Sequence, residues 1–202
     1  MAIEEPSYEV IEKSEEFEIR QYAPMIVAEV MVDGDMTTAS SRGFRLIAGY
    51  IFGKNTKLAI GQTPSMTIPS ENVSLGSSEK IAMTVPVTVE PQEITGSDFQ
   101  KAKTWRVQFV MPSQFTLETL PKPTDPSVQL RQVPAKRFAV LNYTGFNGTE
   151  KVSEKVQFLM EWLDKKKLKP INLPQLARYN PPWSLPFLRR NEILIEIQAH
   201  KE

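Results

Sequence analysis

Hydrophobic and polar residues alternate with a period of two along much of the chain, which is typical of β-strands that bury one face. Residues 8–13 and 17–22 alternate in this way and predict a hairpin. Residues 25–33 are apolar on both faces and predict a strand inside a sheet. Later stretches predict strands at residues 80–89, 105–111, 137–144 and 192–198, with residues 128–133 pairing with residues 137–144 around Pro134.

Two longer stretches carry apolar residues with a helical period and predict helices at residues 37–52 and 150–167. The first helix is expected to be capped by Asp35 or Thr37 and to end at Gly53. The second is expected to take Thr149 as its N-cap. The expected core-facing residues are Phe44, Ile47, Ala48 and Ile51 in the first helix and Val152, Val156, Leu159 and Leu163 in the second.

The order strand, helix, strand, strand occurs twice, over residues 25–111 and again over residues 137–198, where a short strand near residues 177–179 completes it. The predicted fold class is therefore α+β, a distorted β-barrel built from two pseudo-symmetric strand-helix-strand-strand units and flanked by two main helices. Such an arrangement leaves a cleft where helix and sheet diverge, which is a usual place for a small molecule.

The composition narrows the classes of function. The 202 residues include 24 Lys and Arg, 24 Asp and Glu, no Cys and one His. A chain without net charge has no basic footprint for nucleic acid, and a chain without cysteine has no disulfides or thiolate metal sites. The single imidazole, His200, lies near the C-terminus, where a positioned Ser-His-Asp triad is not expected. No catalytic constellation is visible, so the sequence favours binding over catalysis.

The chain is expected to form one domain over residues 1–202, with residues 1–6 flexible. Its first residues lack the apolar core of a secretory signal, and no apolar run approaches the about 20 residues of a membrane span. We therefore expect a cytoplasmic protein. Nothing in the sequence indicates a protein partner or an oligomeric state.

A second face of the first predicted helix is part cationic, part apolar and part small, which is unlike an ordinary solvated face. It predicts a cleft for an amphiphilic planar anion, whose carboxylates would meet Arg42 or Arg45. The alternative is that each arginine is simply a surface charge. The candidate ligand-binding residues are Arg42, Arg45, Leu46, Gly49, Tyr50 and Met83.

A stretch near the C-terminus places three prolines, Pro181, Pro182 and Pro186, within six residues. Prolines at this density exclude a helix interior or a central strand. The same stretch carries four large apolar residues, Trp183, Leu185, Phe187 and Leu188. We expect a rigid loop that packs over a hydrophobic opening; if these side chains are instead exposed, the loop is a docking surface.

Five sets of short motifs, in order along the chain, resemble the SOUL / haem-binding protein family over about residues 8–198. They are residues 17–24 (FEIRQYAP), 43–55 (GFRLIAGYIFGKN), 80–87 (KIAMTVPV), 109–112 with 120–123 (FVMP and LPKP), and 178–192 (RYNPPWSLPFLRRNE). The resemblance implies a distorted β-barrel of repeated units flanked by two helices. It also implies haem or a related tetrapyrrole as the ligand, held by apolar contact along the first helix with basic groups near the propionates.

The implied function is that of a soluble, non-enzymatic tetrapyrrole carrier or buffer. The fold type is similar to the effector-binding domains of multidrug-sensing transcription regulators and to gyrase-inhibitor-like proteins, so the alternative is a binding module for another hydrophobic effector. An enzyme acting on a tetrapyrrole is a third reading, for which the sequence offers no residue.

One departure from the family concerns the iron ligand. Some members are assigned a histidine ligand, whereas the helix predicted at residues 37–52 contains none. Ligation would fall to Tyr50, Met83 or another Tyr or Met, or be absent.

Overall fold

A computed structural model describes residues 3–57, 77–93, 101–181 and 183–198. They form an α+β fold in which a nine-stranded sheet, curled into a half-barrel, carries two helices on one face. The strands are β1 (Tyr8–Ser14), β2 (Phe17–Tyr22), β3 (Met25–Asp33), β4 (Asn55–Thr56), β5 (Val87–Pro91), β6 (Thr104–Val110), β7 (Lys122–Pro123), β8 (Gln129–Val133), β9 (Lys136–Thr144), β10 (Gln175–Arg178) and β11 (Arg190–Glu196). The helices are α1 (Met36–Ile51) and α2 (Thr149–Lys165), and a short 3-10 turn lies at Pro186–Leu188.

The sheet is symmetric about its centre. Its strand order is β1-β2-β9-β11-β10-β5-β6-β3-β8, and the small strands β4 and β7 pair separately. The central strands β5 and β10 pair antiparallel, β6 and β11 flank them, and β3 and β9 come next. Each half thus has the chain order strand, helix, strand, strand, so the fold class and repeat predicted from the sequence are confirmed.

The two faces of the sheet support different clusters of buried side chains. On the helix-covered face, residues such as Trp105, Val107 and Phe109 join the apolar sides of α1 and α2 in the main core. The opposite, concave face holds a smaller apolar cluster, made of Tyr22, Phe138, Val140, Ala177, Tyr179 and Leu194. Within the described ranges, no helix is long and apolar enough to cross a bilayer.

The N-cap predicted from the sequence is correct for α1 and wrong for α2. Asp35 caps α1, because its Oδ1 accepts the backbone N–H groups of Thr37 and Thr38 at 2.9 Å each. Gly53 follows α1 at φ +123°, a conformation that favours glycine. For α2 the prediction of Thr149 as the N-cap is wrong: the N-cap is Gly148, and no side chain caps that end.

Two predictions about strands need correction. The predicted strands at residues 128–133 and 137–144 exist as β8 and β9, but they do not form a hairpin, since β8 pairs with β3 while β9 lies between β2 and β11. The strand predicted at residues 80–89 is too long, because its paired part begins at Val87, after Pro86. Alternation shows which face a residue takes, but it carries no information about which strand lies beside it.

Helix α1 lies very close to its half of the sheet because Gly43 has no side chain. A Cβ at Gly43 would lie 2.5 Å from Val107 Cγ2 and 2.6 Å from Val107 Cβ. Gly43 and Val156 occupy equivalent positions, counted from the first residues of α1 and α2, and Val156 is fully buried. A valine side chain prevents so close an approach, so the two helices are packed differently on the two halves.

We expect Gly43→Ala to destabilise the protein by about 1–3 kcal/mol, because overpacking against Val107 outweighs the gain of about 1 kcal/mol in helix propensity. Gly49→Ala is the matched control: its Cβ would lie 3.1 Å from Cδ of the flexible Lys54 side chain, which can move aside. That control should be neutral or stabilising. Urea denaturation of both variants measures the difference, and equal free energies of unfolding would contradict this account of α1 packing.

The end of the sheet where β10 leads into β11 is held by one buried carboxylate, that of Glu192. It is fully buried. It accepts hydrogen bonds from Arg20 Nη1 (3.0 Å) and Nη2 (3.1 Å), from Arg190 Nη2 (2.9 Å) and from the Tyr179 hydroxyl (2.6 Å). Tyr179 directly follows β10 and Arg190 begins β11, so both ends of the connecting loop are bonded to one carboxylate.

Arg20 keeps its positive charge, and this charge maintains its hydrogen bonds to Glu192. Burial alone would lower the pKa of Arg20, but the hydrogen bonds and charge of Glu192 raise it above its ordinary value. Burial raises the pKa of Tyr179, which therefore stays protonated and donates its O–H. Arg20 Nε also donates to Glu18 (2.7 Å), and the guanidinium lies 4.3 Å from the centre of the Tyr8 ring. Arg20 therefore stays charged and Tyr179 stays protonated over the ordinary pH range.

We expect Glu192→Gln to destabilise the protein by about 3–5 kcal/mol, because it leaves the buried Arg20 guanidinium without a full counter-charge. Glu12→Gln is a control, since Glu12 pairs with Lys166 at the surface, and exposed pairs contribute about 0–1 kcal/mol. Denaturation midpoints of the two variants test the difference. If Glu192→Gln costs no more than Glu12→Gln, the buried network does not hold the loop base.

Candidate functional site

Helices α1 and α2 cover different strands on the helix-covered face of the sheet. Helix α1 packs on β3, β5 and β6, and α2 packs on β9 and β11. Strand β10 lies between these two sets and is packed closely by neither helix. We call the surface of β10 and its neighbours between the two helices the helix groove.

One side of α1 borders this groove. Ser40, Phe44 and Ala48 lie four residues apart and so share one side of the helix. Ser40 Oγ accepts a hydrogen bond from Arg178 of β10, which shows that this side faces the groove. The prediction that Phe44 belongs to the core is wrong in part: its ring packs 5.4 Å from that of Phe109, but its side chain is 38% exposed.

Four of the six predicted site residues form one stripe on the outer side of α1. Arg42 and Arg45 are exposed, and neither forms an ion pair with a described residue. Leu46 is half-buried against the main core, and Gly49 lies against the side chain of Lys54. The structure therefore brings these four together, as the helical spacing predicts.

The other two predicted residues lie apart from this stripe. Tyr50 is buried, and its hydroxyl donates to the Pro121 carbonyl at 2.9 Å. Burial raises the pKa of Tyr50, so it remains a neutral phenol. Met83 is half-buried against the main core, in the segment that leads from the end of α1 into β5. The Tyr50 hydroxyl thus points into a packed contact and not towards a cleft.

The loop between β10 and β11 exposes the apolar residues that the sequence placed over a hydrophobic opening. The exposed fractions are 83% for Trp183, 55% for Leu185, 68% for Phe187 and 62% for Leu188, so the prediction of a packed cover is wrong. Phe146, 65% exposed, lies nearby, since Arg189 stacks on its ring at 5.2 Å. We call these five side chains the loop patch.

The loop keeps its shape through its own hydrogen bonds. Ser184 N–H donates to the Pro181 carbonyl (3.0 Å), Leu188 N–H to the Leu185 carbonyl (2.9 Å) and Arg189 Nε to the Ser184 carbonyl (2.8 Å). A braced loop presents its apolar side chains outward at a low cost in conformational entropy on binding. Large exposed apolar patches on braced backbone mark interaction sites.

The floor of the helix groove is polar near the loop. Arg178, Asn191 and Tyr143 are paired neighbours on β10, β11 and β9 and face the helices. The Tyr143 hydroxyl donates to Asn147 Oδ1 (2.6 Å), and Asn147 Nδ2 donates to Asn191 Oδ1 (2.7 Å). Sequence reasoning missed these residues, although Arg178 does interrupt an otherwise apolar short strand.

A cavity of about 390 Å³ lies on the opposite, concave face. Its apolar floor includes Tyr22, Phe138 and Leu194, and its rim includes Glu90 and Arg106. Arg106 Nη1 donates to Glu90 (3.1 Å), while its buried Nε has no hydrogen-bond partner. None of the six predicted site residues lines this cavity, nor a second, more open one beside α2 that extends over Met160 and Pro170.

The donor set does not favour a metal held by protein side chains alone. Within the part of the chain that the structure describes, no group of three or more His, Cys, Asp or Glu side chains could hold an ion. The single histidine, His200, lies outside the described residues.

Comparison with solved structures supports the fold. The EcmrR C-terminal domain superposes with a TM-score of 0.61 at 12% identity, covering 96% of this chain and 99% of that one. A hydrolase from Listeria innocua gives a TM-score of 0.55 at 14% identity, covering 93% and 94%. An uncharacterized conserved protein from Listeria innocua gives 0.58 at 13%, covering 91% and 92%. At these identities the likeness concerns the fold alone.

Sequence comparisons are more specific. A comparison with curated proteins returned no match. The family model described as SOUL heme-binding protein matches residues 3–196, which is nearly the whole chain. Because that match spans both pseudo-symmetric halves, the chain belongs to the SOUL haem-binding protein family.

Proposed function

We propose that this protein binds a tetrapyrrole, haem being the first candidate, and acts as a carrier or buffer, not as an enzyme. The ligand would lie against α1 and the loop patch. The observation that carries the proposal is the exposure of Trp183, Phe187 and their apolar neighbours on a loop that the fold holds in place. Family membership supplies the ligand class.

The loop patch and the α1 stripe offer the two kinds of contact that a flat, amphiphilic dicarboxylate requires. The loop patch offers the apolar surface that a porphyrin face requires, with a driving force of about 25 cal/mol per Å² of apolar area removed from water. Arg42 and Arg45, which pair with no described acid, remain the predicted contacts for carboxylates. Leu46 and Gly49 complete the proposed contact stripe on α1.

Among the described residues, iron ligation rests on few candidates. The Tyr50 hydroxyl donates to Pro121, which argues against a bond from that phenol to iron. The Met83 thioether is the remaining predicted ligand, and thioethers do ligate haem iron. A weak or absent axial bond suits reversible binding by a carrier.

A second candidate function has an observation of its own. The concave cavity combines an apolar floor with Arg106, whose buried Nε makes no hydrogen bond and lies 3.8 Å from Glu29 Oε2, so it offers a pocket for a different hydrophobic molecule that carries a hydrogen-bond acceptor. In that case haem affinity at the outer surface would be incidental. Neutral hydrophobic dyes that compete with haem would favour one shared site, whereas independent binding would favour two.

Titration with haem, followed in the Soret region, should give saturable one-to-one binding. Phe187→Ser should weaken it about tenfold, because an exposed aromatic contact is lost, and Arg42→Glu with Arg45→Glu should weaken it by like-charge repulsion. Phe158→Ser is the matched control, since Phe158 is an exposed aromatic residue of α2 outside the loop patch. Binding that does not saturate, or that Phe158→Ser weakens equally, would overturn the proposal.

The two ligand candidates separate in a second experiment. We expect Tyr50→Phe to leave the Soret band of the complex unchanged and to destabilise the protein by about 1–3 kcal/mol, because the buried Pro121 carbonyl loses its donor. Met83→Leu preserves volume and should shift the band if the thioether binds iron. A band altered by Tyr50→Phe at unchanged stability would instead make the phenol the ligand.

A further inference from the structure

The two halves of the sheet differ at one row of equivalent positions. In the first half, Val89, Val107 and Val30 are paired neighbours on β5, β6 and β3, and all three are buried beneath α1. The symmetry about the β5–β10 pair places Arg178, Asn191 and Tyr143 at the same positions of the second half. An apolar row has thus been replaced by a polar one.

The N-termini of α1 and α2 differ in a similar way. Asp35 places a carboxylate at the N-terminus of α1, whereas the equivalent residue before α2 is Gly148, which offers no side chain. Asn147, next to Gly148, is bonded to both Tyr143 and Asn191, so the open end of α2 adjoins the polar row. An uncapped helix N-terminus carries a partial positive charge. The N-terminus of α2 therefore lacks the capping carboxylate that Asp35 gives α1, although Glu150 lies in its first turn.

Arg178 is the only full charge in this row. Its Nη2 donates to Ser40 Oγ, and no described carboxylate lies within ion-pair distance of its guanidinium. Burial lowers the pKa of Arg178 below its ordinary value. Arg20 shows the contrast: it is buried, whereas Arg178 is half-buried, yet Arg20 has Glu18 and Glu192 as partners.

An enclosed guanidinium without a counter-charge costs free energy that the fold does not recover. The first half shows that the architecture tolerates valine at this position. A destabilising charge retained at one place is typical of a functional site. Arg178 contacts Ser40 of α1 and ends β10, shortly before the loop that carries the loop patch, so the missing counter-charge would come from a ligand.

We propose that Arg178 binds a carboxylate of the ligand at the floor of the helix groove, while the apolar ring of the ligand rests on the loop patch. This inference rests on the proposed function and adds a residue that the outer stripe of α1 does not include. The ligand class is an amphiphilic planar carboxylate, and the fork of the guanidinium suits bidentate pairing. Asn191 and Tyr143, the neighbours of Arg178 on β11 and β9, form the rest of this floor.

The test compares haem with haem dimethyl ester, which keeps the ring and iron but has no free carboxylates. Wild-type protein should bind haem roughly 10- to 100-fold more tightly than the ester, as expected for a charged hydrogen bond. Arg178→Met should lose a large part of that preference, the remainder being due to Arg42 and Arg45, while Arg178→Lys should recover part of what is lost. Arg137→Met is the control, because Arg137 lies at the far end of β9 from Tyr143.

Stability gives a second readout that separates a binding role from a structural one. If Arg178 serves a ligand, Arg178→Met should unfold at a denaturant midpoint no lower than wild type, since a half-buried charge without an acidic partner is removed. A lower midpoint with unchanged ligand preference would make Arg178 structural and overturn the inference. Wild-type protein that binds haem and its ester equally would also overturn it, together with the carboxylate contacts proposed for Arg42 and Arg45, but would leave tetrapyrrole binding by the loop patch standing. If the wild-type protein binds neither haem nor its ester, both this inference and the proposed function are overturned.

Discussion

The arrangement of the site depends on the buried carboxylate of Glu192. It binds Arg20 from β2, Arg190 at the start of β11 and Tyr179 at the end of β10, so it closes the base of the loop that carries the loop patch. A loop with this many apolar residues would otherwise collapse onto the nearest apolar surface. Because its base is fixed and its turns are hydrogen bonded, the apolar residues stay in solvent. The buried interactions of Glu192 thus keep a hydrophobic surface of the loop available to solvent.

Pseudo-symmetry explains why the two halves of the molecule differ at the proposed carboxylate contact. Gly43 lets α1 lie directly on Val107, and the row around it is filled with valine. In the other half Val156 keeps α2 at a greater distance, and the equivalent row holds Arg178 and its polar neighbours. One copy of the repeat therefore supplies a dry core, and the other supplies the groove. A fold built from two similar halves can use one half for stability and the other for binding. A destabilising change in one half is tolerated only when the other half compensates for it.

The sequence predicts the helices and strands better than it predicts which strands pair and which side chains are covered. The period of the apolar residues gives both helices to within two residues, and the order of elements gives the repeat. The partner of β9 could not be predicted, because alternation is identical whichever strand lies alongside. Burial of Trp183 was predicted and is wrong, since apolar character shows what a side chain prefers and not whether protein or ligand will cover it. The Arg42 stripe follows from helical spacing, but Arg178 becomes notable only when registers across three strands show that it has no acidic partner.

The apolar and charged contacts of the proposed site also determine what kind of tetrapyrrole protein this would be. Under the proposed function, affinity comes from covering the loop patch and from pairing cations such as Arg178, not from a strong axial bond to iron. Burial scales with area at about 25 cal/mol per Å² and does not discriminate among rings of similar size, whereas a carboxylate contact does discriminate by charge. Such a site would accept several porphyrin dicarboxylates and would release them without breaking a coordinate bond. Reversible capture with selection for the acidic edge of the ring is what a carrier or buffer requires, whereas redox catalysis requires a controlled open position on the iron.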